Sequence, residues 1–311
     1  MYTKSHPWTG RTDGKEKEHL RWHQTVKIEN LSKISESYDY GILGFVCDEG
    51  VFRNKGRIGA KHGPEFLRKA CSNFPYTNSK TFADFGNIVC EDANLEIAQE
   101  SLGDAVCKIQ TLGAKTLVFG GGHEVMFGHY MGLRKAYPDK KIGIINFDSH
   151  FDNRNLKQEI GASSGTGFWQ IAQLDTNYQY LAIGIQPNSN TKALFNEAHK
   201  AGTEYILADE LNIENEGKIV KKIEDFLDIV DIVYLTICLD VFAAPFAPGV
   251  SATSYNGIFP DYFFKKIFKT VVKTEKLVAF DIAELNPSFD IDNRTARLAA
   301  SLVFDYITIN D

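Results

Sequence analysis

The chain has 311 residues, of which 43% are hydrophobic and 24% are charged, and its formal net charge is −6. A chain of this length buries most of its apolar surface, so neither a disulfide nor a metal is needed merely for folding. The negative charge argues against nucleic acid or an anionic membrane as the main partner, because both require a basic surface.

Short apolar runs alternate with amphipathic stretches along the whole chain. The apolar runs predict strands at 39–46, 82–89, 116–119, 142–147, 180–185, 205–207, 232–239 and 277–280. The amphipathic stretches predict helices at 63–70, 95–112, 125–136, 192–201, 218–230, 262–272 and 296–306. Several predicted strands are apolar at nearly every position, which is typical of a parallel sheet that is covered by helices on both faces.

The fold class that follows is a three-layer α/β/α domain with a mostly parallel sheet of about eight strands. We expect residues 1–311 to form this single catalytic domain, with residues 1–35 as an N-terminal extension that packs on it. Ligands of such sheets bind beyond the carboxyl ends of the strands. The polar residues that follow each apolar run are therefore the first candidates for chemistry.

Three predicted strand ends carry polar side chains that are suited to metal binding. The run 142–147 leads into Asp148, His150 and Asp152, and a spacing of two in an extended segment places all three side chains on one face. Two carboxylates and an imidazole form an oxygen and nitrogen site that suits Mn²⁺, Fe²⁺, Co²⁺ or Zn²⁺. Taken alone, this pattern is also compatible with a polar loop.

His123 strengthens the metal interpretation. It follows three glycines, 120–122, at the end of the run 116–119, and glycines permit a tight turn and close backbone approach. A phosphate-binding loop is the alternative for these glycines, but the GxxxxGK[ST] pattern is absent. Asp240 follows a third run, 232–239, so three strand ends deliver metal-ligating side chains.

Four segments in this order resemble the arginase (ureohydrolase) superfamily. The GG-x-H segment of that family resembles 120–123, its D-x-H-x-D segment resembles 148–152, and its D-x-D segment aligns with 238–240. The acidic residue that precedes Asn-Pro in the family aligns with Glu284. The resemblance implies a pair of Mn²⁺ ions held by His123, Asp148, His150, Asp152, Asp240 and the residue at 238, and a Glu284 that holds the amidine or guanidine nitrogens of the substrate.

Within the superfamily, the chain resembles the formimidoylglutamases. The segments 8–14 and 247–252 are similar to theirs, and Phe168 stands where arginases have a histidine that assists proton transfer. Arg154 lies two residues after Asp152, and a guanidinium binds a carboxylate through two parallel hydrogen bonds. We expect Arg154, Ser164, Thr166 and Arg57 to contact the substrate, although a surface ion pair between Arg154 and Glu159 is the alternative for Arg154.

Position 238 departs from the family, because Cys238 stands where most members have a metal-bridging aspartate. Alternation along the strand places Cys238 on the same side as Asp240. Mn²⁺ prefers oxygen ligands, whereas sulfur favours softer ions such as Zn²⁺. We therefore expect weaker Mn²⁺ binding, or one ion instead of two. Whether Cys238 ligates metal or only lines the site stays open.

The resemblance implies hydrolysis of N-formimidoyl-L-glutamate to L-glutamate and formamide in histidine degradation, with Glu284 binding the substrate and Asp152 moving a proton. Two alternatives stay open: a guanidine hydrolase of the arginase or agmatinase type, and a metal-poor relative without catalysis. The five scattered cysteines include no CxxC pair and no secretory signal is evident, so we expect a cytoplasmic protein. Oligomeric state is not determined by these patterns.

Overall fold

A computed structural model describes residues 1–34, 36–77, 79–156 and 161–309. The strands are β1 Tyr2–Thr3, β2 Lys27–Ile28, β3 Tyr40–Val46, β4 Phe82–Val89, β5 Lys115–Phe119, β6 Ile142–Phe147, β7 Tyr178–Ile185, β8 Glu204–Leu207, β9 Ile232–Cys238 and β10 Leu277–Ala283. The α-helices are α1 Trp22–Thr25, α2 Glu49–Arg53, α3 Gly63–Cys71, α4 Leu95–Thr111, α5 Val125–Ala136, α6 Gly167–Leu174, α7 Lys192–Lys200, α8 Glu216–Asp228, α9 Tyr262–Val272 and α10 Arg294–Thr308.

The ten strands found in the described residues belong to one sheet, in the order β1-β4-β3-β5-β10-β9-β6-β7-β8, with β2 also paired to β4. The pairings are parallel except for that of β1 with β4. Strands β5 and β6 are consecutive in the chain, but β10 and β9 lie between them in the sheet. The chain leaves β6 toward β7 and leaves the neighbouring strand β9 toward β10, in opposite directions, and such a switch point between adjacent strands leaves a crevice at their carboxyl ends.

Two apolar cores cover the two faces of the sheet. Residues of α3, α8, α9 and α10 pack on one face, and residues of α4, α5, α6 and α7 pack on the other. Strand β6 serves both, since Ile145 and Phe147 enter the first core and Ile142 and Ile144 enter the second. This burial on both faces confirms the predicted layered α/β fold and explains why the strands are apolar at nearly every position.

The differences from the predicted elements have local causes. Strand β10 continues to Ala283, past the predicted end at 280, because Asp281 is fully buried and hydrogen-bonded inside the sheet. Helices α1, α2 and α6 were not predicted, since with four, five and eight residues they are shorter than the window in which helical periodicity is recognised. The two-residue strands β1 and β2 were missed for the same reason and extend the predicted eight strands to ten.

The N-terminal segment packs on the sheet edge through one buried carboxylate. Asp84 of β4 is fully buried and accepts hydrogen bonds from Ser5 Oγ at 2.7 Å and Trp8 Nε1 at 2.8 Å. Arg68 of α3 donates to both oxygens of Asp84, at 2.8 and 3.0 Å. The ion pair of Asp84 with Arg68 thus connects the N-terminal segment, helix α3 and the sheet.

Candidate active site

The four central strands β5, β10, β9 and β6 end at one crevice, and each delivers a predicted site residue there. His123 follows β5, Glu284 follows β10, and Asp148 follows β6. Cys238 is the last residue of β9, and Asp240 lies in the 3₁₀ turn Leu239–Val241 that follows. Parallel register makes these ends neighbours, since Ala283 pairs with Cys238 and Phe147 pairs with Ile237.

The glycines before His123 allow its loop to pass close to the end of β3. A Cβ atom on Gly121 would lie 1.7 Å from the carbonyl oxygen of Cys47, so no other residue fits there without movement of the backbone. The amide of Gly122 donates to the same carbonyl at 3.1 Å. The predicted close approach is thus present, and it holds the His123 ring in the crevice with 1% exposure.

The Asp148–Asp152 segment reaches the site by a different path from the one predicted. Strand β6 ends at Phe147, so the three side chains do not lie on one face of an extended strand. Asp152 has a φ of +45°, in the left-handed region, and the chain turns between Asp148 and Asp152. The prediction of extended backbone was wrong, but the turn still brings all three side chains to the crevice.

Two triads of ligand atoms share Asp148. His123, Asp148 and Cys238 offer ligand atoms within 4.8 Å of one another, and so do Asp148, His150 and Asp240. Asp152 joins the first triad, with its Oδ2 2.8 Å from His123 Nδ1. In the second triad, His150 Nδ1 lies 3.2 Å from Asp240 Oδ2. The arrangement has the geometry of two adjacent cation sites with a shared carboxylate.

The electrostatics of the two histidines match this interpretation. Burial alone would lower the pKa of His123, but Asp148 and Asp152 raise it well above its usual range. The pKa of His150 is raised likewise, against burial, by Asp240 and Asp148. Burial and the charge of Asp148 raise the pKa of Asp152 and of Asp240. Protons thus compensate a surplus of buried carboxylates, and divalent cations that bind here would displace those protons.

Glu284 has one engaged and one free oxygen. Its Oε1 accepts from the backbone amide of His123 at 2.8 Å, whereas its Oε2 is buried and has no hydrogen-bond partner among the described residues. Burial raises the pKa of Glu284 to about 7, opposed by the nearby Ser251 hydroxyl. Its φ of +72° is sparsely populated for a residue with a side chain. The backbone is thus held in a strained conformation that places this carboxyl group on the cavity wall.

Cys238 lies within the first triad and is 1% exposed, so it faces the site as alternation predicted. Burial, and then the charges of Asp148 and Asp240, raise the pKa of its thiol well above the usual value. In the absence of cations the sulfur is therefore protonated. A thiol is a weak ligand, because the thiolate is the form that binds metal.

A cavity of about 280 Å³ opens above the ligand atoms. Arg154 and Ser164 line it from the loop between β6 and α6, and Asn54 and Lys55 line it from the end of α2. Asn54 Nδ2 donates to Ser164 Oγ at 3.0 Å, so the two loops are joined at the rim. In the described part of the chain the Arg154 side chain has no hydrogen bond or ion pair. Its alternative partner, Glu159, lies outside the described residues.

Two of the predicted substrate contacts do not fit the observed geometry. Thr166 is fully buried, does not line the cavity, and uses its hydroxyl to donate to Ser163 O and to Gln170 at 3.0 Å. Arg57 does line the cavity, but it donates to the carbonyls of Val250 and Ser251, at 2.6 and 3.2 Å. We therefore assign Thr166 to the turn before α6 and Arg57 to bracing of the 248–251 loop.

Phe168 packs between His123 and Tyr180 at the side of the site. Its ring lies 5.9 Å from the His123 ring and stacks on Tyr180 at 4.1 Å. No proton can be transferred by this side chain, as the sequence predicted. An apolar ring here also keeps water from one side of His123.

Sequence reasoning missed a buried hydrogen-bond chain behind His123. His123 Nε2 lies 3.1 Å from Thr236 Oγ1, which donates to Asp281 Oδ1 at 2.5 Å. Asp281 Oδ2 is 2.7 Å from His129 Nδ1 and also accepts from Tyr234. The only sequence signal was a set of polar residues inside apolar strands. Such a chain fixes the orientation of His123 and leaves Nδ1 free to face the ligand cluster.

The residues present fit a pair of hard divalent cations, with one weak position. Asp240 Oδ1 is buried and has no hydrogen-bond partner among the described residues, which is costly unless a ligand satisfies it. The donor set is rich in carboxylate oxygen and imidazole nitrogen, which suits Mn²⁺. Only the sulfur of Cys238 departs from that preference.

Comparisons with known proteins identify the family to which this chain is similar. A family model described as the arginase family matches residues 38–308. A formimidoylglutamase of Clostridium tetani is 41% identical over 96% of this chain and 93% of its own length. A formimidoylglutamase of Rhodococcus opacus is 43% identical over 97% of this chain and 95% of its own length.

Solved structures of formimidoylglutamases resemble this chain in fold. A Trypanosoma cruzi formiminoglutamase variant with Mn²⁺ has a TM-score of 0.78 at 25% identity, covering 89% of this chain and 94% of its own. The formimidoylglutamase of Bacillus subtilis has a TM-score of 0.80 at 18% identity over 97% of this chain and 96% of its own, a likeness of fold alone. Among the described residues, none of the helices combines the length and apolarity that crossing a membrane requires.

Proposed function

The chain belongs to the arginase family, and we propose that it hydrolyses N-formimidoyl-L-glutamate to L-glutamate and formamide with a pair of Mn²⁺ ions. The reaction breaks a C–N bond of a linear amidine, in the context of histidine degradation. The observation that carries the proposal is the pair of ligand triads that share Asp148 beneath a cavity with the free Oε2 of Glu284 on its wall.

The proposed ligands are His123, Asp148, Asp152 and Cys238 for one ion, and Asp148, His150, Asp240 and Cys238 for the other. Divalent ions held by these residues would lower the pKa of a bound water molecule and so activate it for attack at neutral pH. Asp148 serves both positions because its two oxygens face both triads. Cys238 has a single sulfur, so it can bind both ions only through one atom or serve one of them.

Glu284 orients the amidine in this proposal. Its ionised Oε2 accepts hydrogen bonds from the substrate N–H groups and presents the amidine carbon to the attacking oxygen. The opposite charge of an amidinium also favours the ionised form of this carboxyl, against the burial that raises its pKa to about 7. Substrate binding and ionisation of Glu284 thus support each other.

Asp152 carries the proton in the same scheme. It lies next to the ligand cluster but ends on the cavity wall, so it can take a proton from the attacking water and deliver it to the departing amine. The amidine C–N bond then breaks, giving formamide and the free amino group of L-glutamate. Phe168 cannot replace Asp152 in this role, since a phenyl ring holds no exchangeable proton.

Arg154 and Ser164 bind a substrate carboxylate in this scheme. The Arg154 guanidinium lies at the cavity rim and has no side-chain partner within the described ranges, and Ser164 lies beside it, hydrogen-bonded to Asn54. This favours an anionic amidine over arginine or agmatine, which have fewer carboxylates to pair with a cationic rim.

The test is release of L-glutamate from N-formimidoyl-L-glutamate by the purified protein with added Mn²⁺, beside L-arginine and agmatine as competing substrates. Metal content is measured on the same preparation. Glutamate release that depends on Mn²⁺ supports the proposal. Urea from arginine or agmatine would favour a guanidine hydrolase. Absence of turnover in a preparation with bound metal would favour a non-catalytic relative.

We also propose that residues 1–311 act as one catalytic domain in the cytoplasm, with residues 1–35 as an extension packed on it. Supporting this, the described strands form one sheet, Ser5 and Trp8 bind Asp84 at its edge, and the five cysteines are free.

A further inference from the structure

Lys55 occupies a backbone conformation that glycine would adopt at far lower cost. Its φ is +61°, and its amide donates to Phe52 O while that of Gly56 donates to Val51 O, both at 2.9 Å. This pair of bonds is a Schellman motif at the end of α2, whose left-handed position is usually glycine. The lysine therefore sits where the fold alone favours a residue without a side chain.

The same lysine lines the cavity above the ligand cluster. Three non-ligating cationic side chains of the described residues line it: Lys55, Arg57 and Arg154. Arg57 is bound to backbone carbonyls, but the side chains of Lys55 and Arg154 have no hydrogen bond or ion pair with any residue that the structure describes. The cavity thus has two uncommitted cations.

These two cations belong to two loops that meet at Gly165. A Cβ atom on Gly165 would lie 3.1 Å from Asn54 Nδ2 and 3.2 Å from the Arg154 side chain, so Arg154 and the residue before Lys55 flank this glycine. Arg154 follows the ligand Asp152 by two residues, whereas the loop of Lys55 carries no ligand. The two positive charges are therefore carried to the cavity by two different loops.

We propose that Lys55 is a specificity-determining residue that pairs with the substrate carboxylate farther from the amidine. This inference rests on the proposed function, because N-formimidoyl-L-glutamate has two carboxylates and Arg154 accounts for one. Arg154, next to the ligand cluster, takes the carboxylate on the carbon that bears the amidine. Lys55 binds the carboxylate at the end of the substrate's glutamate side chain, which its exposed ammonium group reaches. The strained backbone at position 55 is retained because a glycine there would leave that carboxylate unpaired.

The experiment compares two substrates in wild type and in Lys55→Gly. The substrates are N-formimidoyl-L-glutamate and N-formimidoyl-L-glutamine, in which a neutral amide of the same size replaces the distal carboxylate. Lys55→Gly is expected to raise KM about fivefold for the first substrate, the upper end for an exposed ion pair. The expected KM for the second substrate is unchanged. The fivefold difference should shrink at high salt, which screens exposed charges.

Three further measurements separate substrate binding from folding. Lys55→Arg should keep most of the discrimination between the two substrates, because it keeps the charge. Lys55→Gly should unfold at the same temperature as wild type or higher, because glycine relieves the left-handed conformation. Lys61→Gln removes a neighbouring exposed lysine that does not line the cavity. This control variant should leave the KM for both substrates unchanged.

The outcomes distinguish this inference from the proposed function. Equal changes for both substrates, unchanged KM for both, or a lower unfolding temperature in Lys55→Gly would overturn the role of Lys55. In each of these cases glutamate release by wild type would leave the proposed function intact. If wild type releases no glutamate, the proposed function fails and this inference fails with it.

Discussion

Two clusters of buried carboxylates lie in the same sheet and differ in how they are satisfied. At the edge, Asp84 accepts five hydrogen bonds, from Ser5, Trp8, Gly86 and twice from Arg68. At the centre, Asp148, Asp152 and Asp240 share two histidines, and one oxygen of Asp240 and one of the nearby Glu284 have no hydrogen-bond partner among the described residues.

The comparison distinguishes buried carboxylates that stabilise the fold from buried carboxylates that lack full pairing until a ligand binds. A buried carboxylate with a matching cation and full hydrogen bonding contributes to structure, and its loss leaves another charge uncompensated. Buried carboxylates in surplus are costly in the isolated chain, so their presence at a strand-end crevice indicates a bound cation or substrate. Substitutions in each cluster should therefore act on different properties.

The largest effect on activity is expected from Asp148→Ala, which removes the carboxylate common to both triads. Turnover should fall about a thousandfold or more, since bound cations supply several kcal/mol of transition-state stabilisation. His150→Ala should act similarly. The fold should survive, because these residues follow the strand and leave the apolar core intact. Kinetics with saturating Mn²⁺, together with circular dichroism, test this. Most of the activity remaining in either variant would refute the site assignment.

The largest effect on stability is expected from Asp84→Ala at the other cluster. The free energy of unfolding should fall by about 3–5 kcal/mol, because Arg68 stays buried without its partner. Turnover per folded molecule should be unchanged. Urea denaturation measures the first quantity. Asp225→Ala removes an exposed ion pair with Lys221 and serves as the control, with an expected loss below about 1 kcal/mol. Similar losses for both variants would contradict the distinction between the clusters.

A pH dependence is expected from Glu124, which is fully buried beside the ligand cluster. Burial, and then the charge of Glu284, raise the pKa of Glu124 to about 8, from 4.5 in the unfolded chain. The folded state therefore holds a proton that the unfolded state has lost, so stability is highest below pH 4.5 and declines as pH rises through 8.

Glu124→Gln should reduce that decline in the metal-free protein. Between pH 6 and pH 9 the free energy of unfolding of the wild type should fall by on the order of 2–4 kcal/mol more than that of the variant, because only the wild type loses the Glu124 proton. Urea denaturation at the two pH values, with chelator present, gives the difference. Glu65→Gln at an exposed position is the control. Parallel pH profiles for wild type and Glu124→Gln would show that the Glu124 carboxyl group does not cause the decline in stability.

At the rim, Arg154→Ala should raise KM for N-formimidoyl-L-glutamate. The loss of a charge-assisted hydrogen bond corresponds to about 1.5–3 kcal/mol, or roughly 10- to 150-fold. Arg154→Lys should recover only part of the affinity, because an ammonium does not form the two parallel bonds of a guanidinium. An unchanged KM in Arg154→Ala would place this arginine outside the substrate site.

The smallest effect is expected from Cys238→Asp, which replaces the one soft donor among hard ones. Mn²⁺ affinity should rise by roughly tenfold, within the range that changes around a metal produce, because two carboxylate oxygens can reach both ions. The metal-free variant should be less stable, since it buries a further carboxylate. Calorimetric titration of Mn²⁺ into both proteins tests this. Equal affinities and equal stoichiometry would show that position 238 does not contact the ions.

Much of the fold, and the position of the candidate ligands at strand ends, could be predicted from local sequence patterns. Apolar runs followed by Gly120–Gly122, Asp148 and Asp240 predicted a covered parallel sheet with polar residues at its carboxyl ends, and the structure confirms that arrangement. Helices α5 and α9 were predicted with the bounds that the structure has. These features are encoded locally, because burial on two faces and helical periodicity repeat within single elements.

The tertiary structure decided which polar residues act together. Arg57 and Arg154 look alike in sequence. Only the packing shows that the Arg57 guanidinium donates to carbonyls of the 248–251 loop, whereas that of Arg154 has no partner in the part of the chain that the structure describes. The same holds for Asp84 and Asp148, both of which follow or interrupt apolar runs. A side chain's role depends on the partners that distant segments bring to it, here Ser5, Trp8 and Arg68 for Asp84. Because those partners are set by the order of strands across the sheet, no local pattern of the chain contains them.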